Sequence, residues 1–173
     1  RNGWVDAIHV IPVSDKLVSE KTPQEPEEIV KQIGEEIKSQ KTALVVDFSG
    51  SMADNQREVV ELLGSLNYTE ETTIIVFADA YQVVSKDELI SENFNVGYGT
   101  HMIKALNKAT SYDVENLIII SDLDTYDDVE LKPSTTLKKV TIYDPDDGIE
   151  DDIVGDVLEI IWNQVEVSRI RIK

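Results

Sequence analysis

The chain has 173 residues, which at roughly 100–200 residues per domain is one domain, and 34 acidic against 16 basic residues give a formal net charge of −18. That charge argues against a nucleic-acid binder and against an anionic membrane surface, and it is compatible with a cation site, a basic partner or simple solubility. Apolar content of 41% supports one sizeable core, and the absence of cysteine removes disulfides, thiolate zinc, iron–sulfur clusters and thiol catalysis.

His9 and His101 are the only histidines, and no HExxH pair exists. Any metal is therefore expected to be hard and held by oxygen. No apolar run approaches the ~20 residues of a membrane span, and no signal-peptide pattern is present, so a cytoplasmic location is expected. The chain starts at Arg1 rather than Met, which suggests a domain cut from a longer protein.

In chain order, Ala7 to Val13 is apolar and β-branched and predicts a strand, with Pro12 pushing it to a sheet edge or strand end. Pro26 suits the first turn of a helix, and Ile29, Val30, Ile33 and Ile37 recur at helical spacing to about Ser39. Gly34 weakens this helix without cancelling it. Ala43 to Asp47 is a short continuous apolar run, the pattern of a strand buried on both faces. A helix is predicted from about Met52 to Leu66. Thr72 to Ala78 is the next strand, and Ala80 to Val84 follows too closely for a crossover, so that pair should be antiparallel.

The loop Gly97-Tyr98-Gly99-Thr100 leads into a helix from about His101 to Thr110. Asn116 to Asp122, Lys139 to Tyr143 and Val157 to Trp162 predict three further strands. Val165 to Ile172 alternates weakly and predicts a last strand, with Ala7 to Val13 as its expected neighbour. Strands alternating with helices imply a mostly parallel sheet with helices on both faces, and ligands in such folds bind beyond the carboxyl ends of the strands. Asp47 and Asp122 both stand at such ends.

Asp47, Ser49 and Ser51 form a D-x-S-x-S string after a buried strand. The spacing can turn both hydroxyls toward one point above the strand end. Hydroxyl and carboxylate oxygens suit a hard divalent cation. A neighbouring helix N-terminus favours anions, so the aspartates must offset that field. The bland alternative is a capped turn, since Asp and Ser are good N-caps.

The string Asp47-Phe48-Ser49-Gly50-Ser51-Met52, the Gly99-Thr100 pair and Asp122 after an apolar strand resemble, in order and separation, the von Willebrand factor A (VWA) domains and their metal-ion-dependent adhesion site. The resemblance covers roughly residues 42–162. It implies a Rossmann-like α/β fold: a central, mostly parallel sheet with one short antiparallel edge strand and helices on both faces. It further implies that Ser49, Ser51 and Thr100 hold Mg²⁺ or Mn²⁺ by their hydroxyls. Asp47 and Asp122 then act mostly through water, and a partner carboxylate completes the octahedron. Many members carry Asp-Gly where this chain has Asp122-Leu123-Asp124. The leader of residues 1–41 resembles VWA-like domains that lie C-terminal to a predicted metallopeptidase or beside AAA ATPases in bacteria.

Tyr98, His101 and Asp124 are candidates for the rim of such a site. The stretch Ile118 to Thr125 also resembles the hhhhDxDxT nucleophile motif of haloacid-dehalogenase-type phosphatases. There Asp122 would attack a phosphoryl group and Asp124 would serve as acid and base. Little chain follows for the rest of that fold, and Asp47 and Thr100 would be left without a role. Acidic clusters at residues 122–130 and 144–152 lack the Gly and Glu positions of an EF-hand and are expected to be solvated loops. Trp4 and Trp162 are expected to pack.

The expectation is therefore one domain of residues 1–173, with a leader (1–41), a core (42–162) and a terminal strand (163–173). It has no general base of suitable type, no activated nucleophile and no phosphate-cradling loop, and so is expected not to be an enzyme. Its expected role is divalent-metal-dependent binding of a protein partner through an acidic side chain. A domain of the same fold with a vestigial site and a structural or regulatory role is the other alternative.

Overall fold

A computed structural model describes residues 18–123, 129–145 and 165–173. Among the described residues seven strands form one sheet: β1 (Val18–Glu20), β2 (Thr42–Asp47), β3 (Thr73–Phe77), β4 (Tyr81–Val84), β5 (Asn116–Ile120), β6 (Lys139–Asp144) and β7 (Glu166–Arg171). Their spatial order is β1-β7-β6-β5-β2-β3-β4, and every pairing is parallel except β3 with β4. The helices are α1 (Pro26–Ser39), α2 (Gln56–Gly64), α3 (Lys86–Ile90) and α4 (Met102–Thr110). The architecture is the α/β, Rossmann-like one expected, with the short antiparallel strand at the sheet edge.

The central strands read as continuous apolar runs because both faces are covered. Ala43 and Val45 of β2 point to one face, where they join Met102, Ala105, Leu106 and Ala109 of α4. Leu44 and Val46 point to the other, among Ile29, Ile33 and Ile37 of α1, Val59, Leu62 and Leu63 of α2, and Leu89 of α3. Each of these large aliphatic side chains contributes about 1.5–3 kcal/mol by leaving water. Pro26 opens α1, as its fixed φ and missing N–H allow, and Glu28 reaches back to accept the Glu25 N–H at 3.2 Å.

Several expectations need correction. β7 does not depend on the Ala7 to Val13 segment for pairing. It pairs parallel with β6 on one side and with Val18–Glu20 on the other. Residues 7–13, and the predicted strand from Val157 to Trp162, lie outside the described residues, as do Trp4 and Trp162. The helix expected from Met52 divides into a 3₁₀ turn (Gly50–Met52) and α2, which begins only at Gln56. Asp54 and Asn55 lie between the two, and such side chains favour turns over helix interiors. The N-terminus of α2 is thus several residues from the D-x-S-x-S string, and its field bears less on that string than the sequence suggests. The short α3 was not anticipated, although Ser85 and Glu88 form a reciprocal cap around its first turn.

Candidate functional site

The site is assembled at the carboxyl ends of β5, β2 and β3, three neighbouring parallel strands. Asp47 is the last residue of β2 and is only 1% exposed. Its Oδ1 accepts the Ser49 backbone N–H at 2.8 Å, which bends the chain out of the sheet. Its Oδ2 accepts the Ser121 hydroxyl at 2.6 Å, a bond joining positions 74 residues apart. Burial pushes the Asp47 carboxyl up to about 6 against those hydrogen bonds, and the Asp122 charge adds to the rise. Two carboxylates therefore share one buried strand edge.

Past Asp47 the chain turns through Ser49, which is buried, and Ser51, which is exposed. Their hydroxyl oxygens lie 3.2 Å apart. The third loop is fastened at two points, one on this turn and one just past the end of β3. The Gly50 N–H donates to the Tyr98 carbonyl at 3.1 Å, and the His101 N–H donates to the Ala78 carbonyl at 2.9 Å. Thr100, half-buried, lies in the loop between those tethers. Phe94 adds an apolar tie, its ring edge-on to Phe48 with centroids 4.7 Å apart.

After β5 the chain turns sharply. The Leu123 N–H donates to the Ser121 hydroxyl at 2.8 Å, and Leu123 takes a φ of 61°. That left-handed conformation is where a glycine sits most easily. Here a leucine occupies it, with its side chain wholly buried against the α4 face of the sheet. Asp122 just before it is 5% exposed.

Of the candidate residues, Asp47, Ser49, Ser51 and Asp122 are thus brought to one sheet edge, and the loop that carries Thr100 is bonded to that edge through the Tyr98 carbonyl. His101 is the residue that caps α4 rather than part of its first turn, and its buried Nδ1 has no hydrogen-bond partner. Tyr98 stands 83% exposed. Asp124 lies outside the described residues. So do most members of the two acidic clusters; Asp144, expected in a solvated loop, is instead wholly buried and paired with Arg169 at 2.7 Å.

Ser121 is a residue that the sequence reading passed over. Its hydroxyl donates to Asp47 and accepts from Leu123, so it couples the β2 and β5 loops. The only sequence signal for it was a polar residue between Ile120 and Asp122 at the end of an apolar run.

The donor set fits a hard dication. Among the described residues no three Asp, Glu or His side chains converge, so a cation here would depend on hydroxyls completing what two carboxylates begin. Neighbouring oxygens around an octahedral Mg²⁺ stand about 2.9 Å apart, close to the separation of the Ser49 and Ser51 hydroxyls. A positive charge beside Asp47 would also offset the burial that disfavours its ionised form. No protein-family model and no curated protein matches the chain.

Proposed function

We propose that this rim is a divalent-cation site of the metal-ion-dependent adhesion type, which makes the chain a metal-dependent protein-binding module rather than an enzyme. The observation that carries the reading is the convergence at one edge of a buried, charge-disfavoured Asp47, the Asp122 carboxylate and the paired Ser49 and Ser51 hydroxyls.

Ser49, Ser51 and Thr100 would hold Mg²⁺ or Mn²⁺, with Asp47 and Asp122 balancing charge, and the ion would supply an electrophilic position for a partner carboxylate. The residues of the chain do the rest. Ser121 and the Ser49 N–H fix the Asp47 carboxylate and keep it acceptor-only. Neutral hydroxyls, rather than further carboxylates, leave positive charge uncancelled for an incoming acid. The surface of this chain, at a formal −18, repels an acidic partner when no cation is bound, so binding is gated by the metal. Module partners of the ATPase or metallopeptidase kind follow from the leader's resemblance.

Calorimetric titration with Mg²⁺ and with Mn²⁺ tests the reading. Wild type should show one saturable site, Asp47→Ala should show none, and Ser49→Ala and Thr100→Ala should bind at least tenfold more weakly. Absence of heat and of thermal shift in the wild type refutes the proposal and favours a vestigial site. Among the described residues no helix is long and apolar enough to cross a membrane.

A further inference from the structure

The exposed aromatic beside this rim is held in an unusual way. Tyr98 is the most exposed large hydrophobic residue described, at 83%, yet the backbone beneath it is fastened on every side. Its own N–H donates to Asp79 Oδ2 at 3.2 Å, and its carbonyl accepts from Gly50. On the Val96 side the Asp79 and Ala80 N–H groups both donate to the Val96 carbonyl, at 2.7 and 3.1 Å. On the other side His101 is bonded to Ala78.

The Asp79 carboxylate sits between Gly97 and Gly99. A Cβ at either glycine would overlap the carboxylate and displace it, and Gly97 also has a φ of +81°, so the two glycines let the loop close over the carboxylate. The loop therefore displays one ring to solvent on a pre-ordered backbone. Such a ring loses little entropy when a partner covers it, which is the property of an aromatic anchor in a binding surface.

Resting on the cation-site reading, we infer that Tyr98 is the second anchor of the same docking surface. The epitope it fits is an acidic residue with an aromatic side chain close by in the partner. The carboxylate meets the hydroxyl rim and the aromatic group packs on the Tyr98 ring. The continuity is one short hydrogen bond: the N–H of Gly50, the residue between Ser49 and Ser51, donates to the Tyr98 carbonyl at 3.1 Å. A neutral aromatic is the favoured neighbour because it stacks on the Tyr98 ring without placing a second positive charge beside the bound cation. Asp79 acts as a positioning residue, through the loop and not by contact with the partner.

The test is selection of random peptides displayed on phage against the immobilised full chain, in Mg²⁺ and in EDTA, followed by affinity measurement with the recovered peptide. Mg²⁺-dependent peptides should carry Asp or Glu within a few positions of Trp, Tyr or Phe. Tyr98→Ala should weaken that peptide by about tenfold to thirtyfold, the loss typical of an aromatic hot spot. Tyr98→Phe should restore it to within about threefold, since ring stacking and not the hydroxyl is used. Both variants should keep the wild-type melting temperature and Mg²⁺ affinity, because the ring is solvent-exposed. Acidic peptides with no aromatic preference, or an unchanged affinity in Tyr98→Ala, overturn this inference and leave the cation site standing. No Mg²⁺-dependent enrichment at all overturns both.

Discussion

Replacing Asp47 by Asn separates the electrostatics of the strand edge from its shape. Burial raises the Asp47 carboxyl from 3.8 to about 6. The folded state therefore holds a proton that the unfolded state has already released between those two values. For an acid shifted in this direction, stability is greatest below the unfolded value, falls as pH rises through the folded one, and levels off above about 7. A rise of this size corresponds to about 3 kcal/mol, and no discount for solvent screening applies to a side chain 1% exposed. Asn keeps the volume, can accept the Ser49 N–H through its oxygen, and can donate to the Ser121 hydroxyl through its nitrogen. Urea unfolding followed by circular dichroism, at steps from pH 4 to pH 8 with a chelator present, should show the variant gaining on the wild type by about 2.5 kcal/mol across that range, part of the full difference having been lost already by pH 4. Carboxylates remote from Asp47 are common to both proteins and cancel in the difference, and Asp122, which interacts with Asp47, adds a smaller coupled contribution. Millimolar Mg²⁺ at pH 7 should stabilise the wild type and not the variant. Parallel pH curves for the two proteins would refute the argument that burial disfavours the Asp47 charge.

Leu123→Gly should relieve about 1–2 kcal/mol of left-handed backbone strain but lose about 2–5 kcal/mol of buried side chain, so urea titration should find net destabilisation. Asp144→Asn should cost about 3–5 kcal/mol, because Arg169, 1% exposed, would keep its charge in the interior without the carboxylate now 2.7 Å away; thermal melts at neutral pH measure it. Gly99→Ala should force the Asp79 carboxylate out of its seat and loosen the loop, raising amide hydrogen exchange at Gly50, whose N–H is bonded to Tyr98. Unchanged exchange there would show that the loop tolerates the extra carbon.

The strands that carry the site were legible because burial on both faces leaves an unmistakable run of apolar residues, as in Ala43 to Val46 and Leu117 to Ile120. The edge pair β3 and β4 and the last strand were legible too, but β1 and the neighbours of β7 were not. β1 is three residues long, and it is a strand because β7 pairs with it, Val18 opposite Val167, and not because of its own composition. β7 was expected as a strand, but it includes Ser168 and Arg169, whose polarity gives no sign of burial. Both are buried, Arg169 because Asp144 on the next strand neutralises it, a partnership that spacing alone cannot reveal. In the site, the D-x-S-x-S string announced itself, whereas Ser121 and Asp79 did not. Their roles consist in bonds to distant segments, and a short polar residue at a loop entrance is too common to single out.

The balance at position 47 bears on why a carboxylate is there at all. Its two hydrogen bonds hold the β2 and β5 loops together, and an asparagine could form both without burying a charge. A residue kept only to join those loops would be better served by the neutral amide. Ionised Asp47 instead burdens the folded state, with Asp122 adding to the burden from the neighbouring strand end. Perturbed carboxyls arranged in this way gather where charge is used. The strain at Leu123 falls on the same turn, immediately after Asp122. Local costs concentrated at one strand edge of an otherwise well-packed sheet are what the proposed cation site calls for and what a capped turn does not.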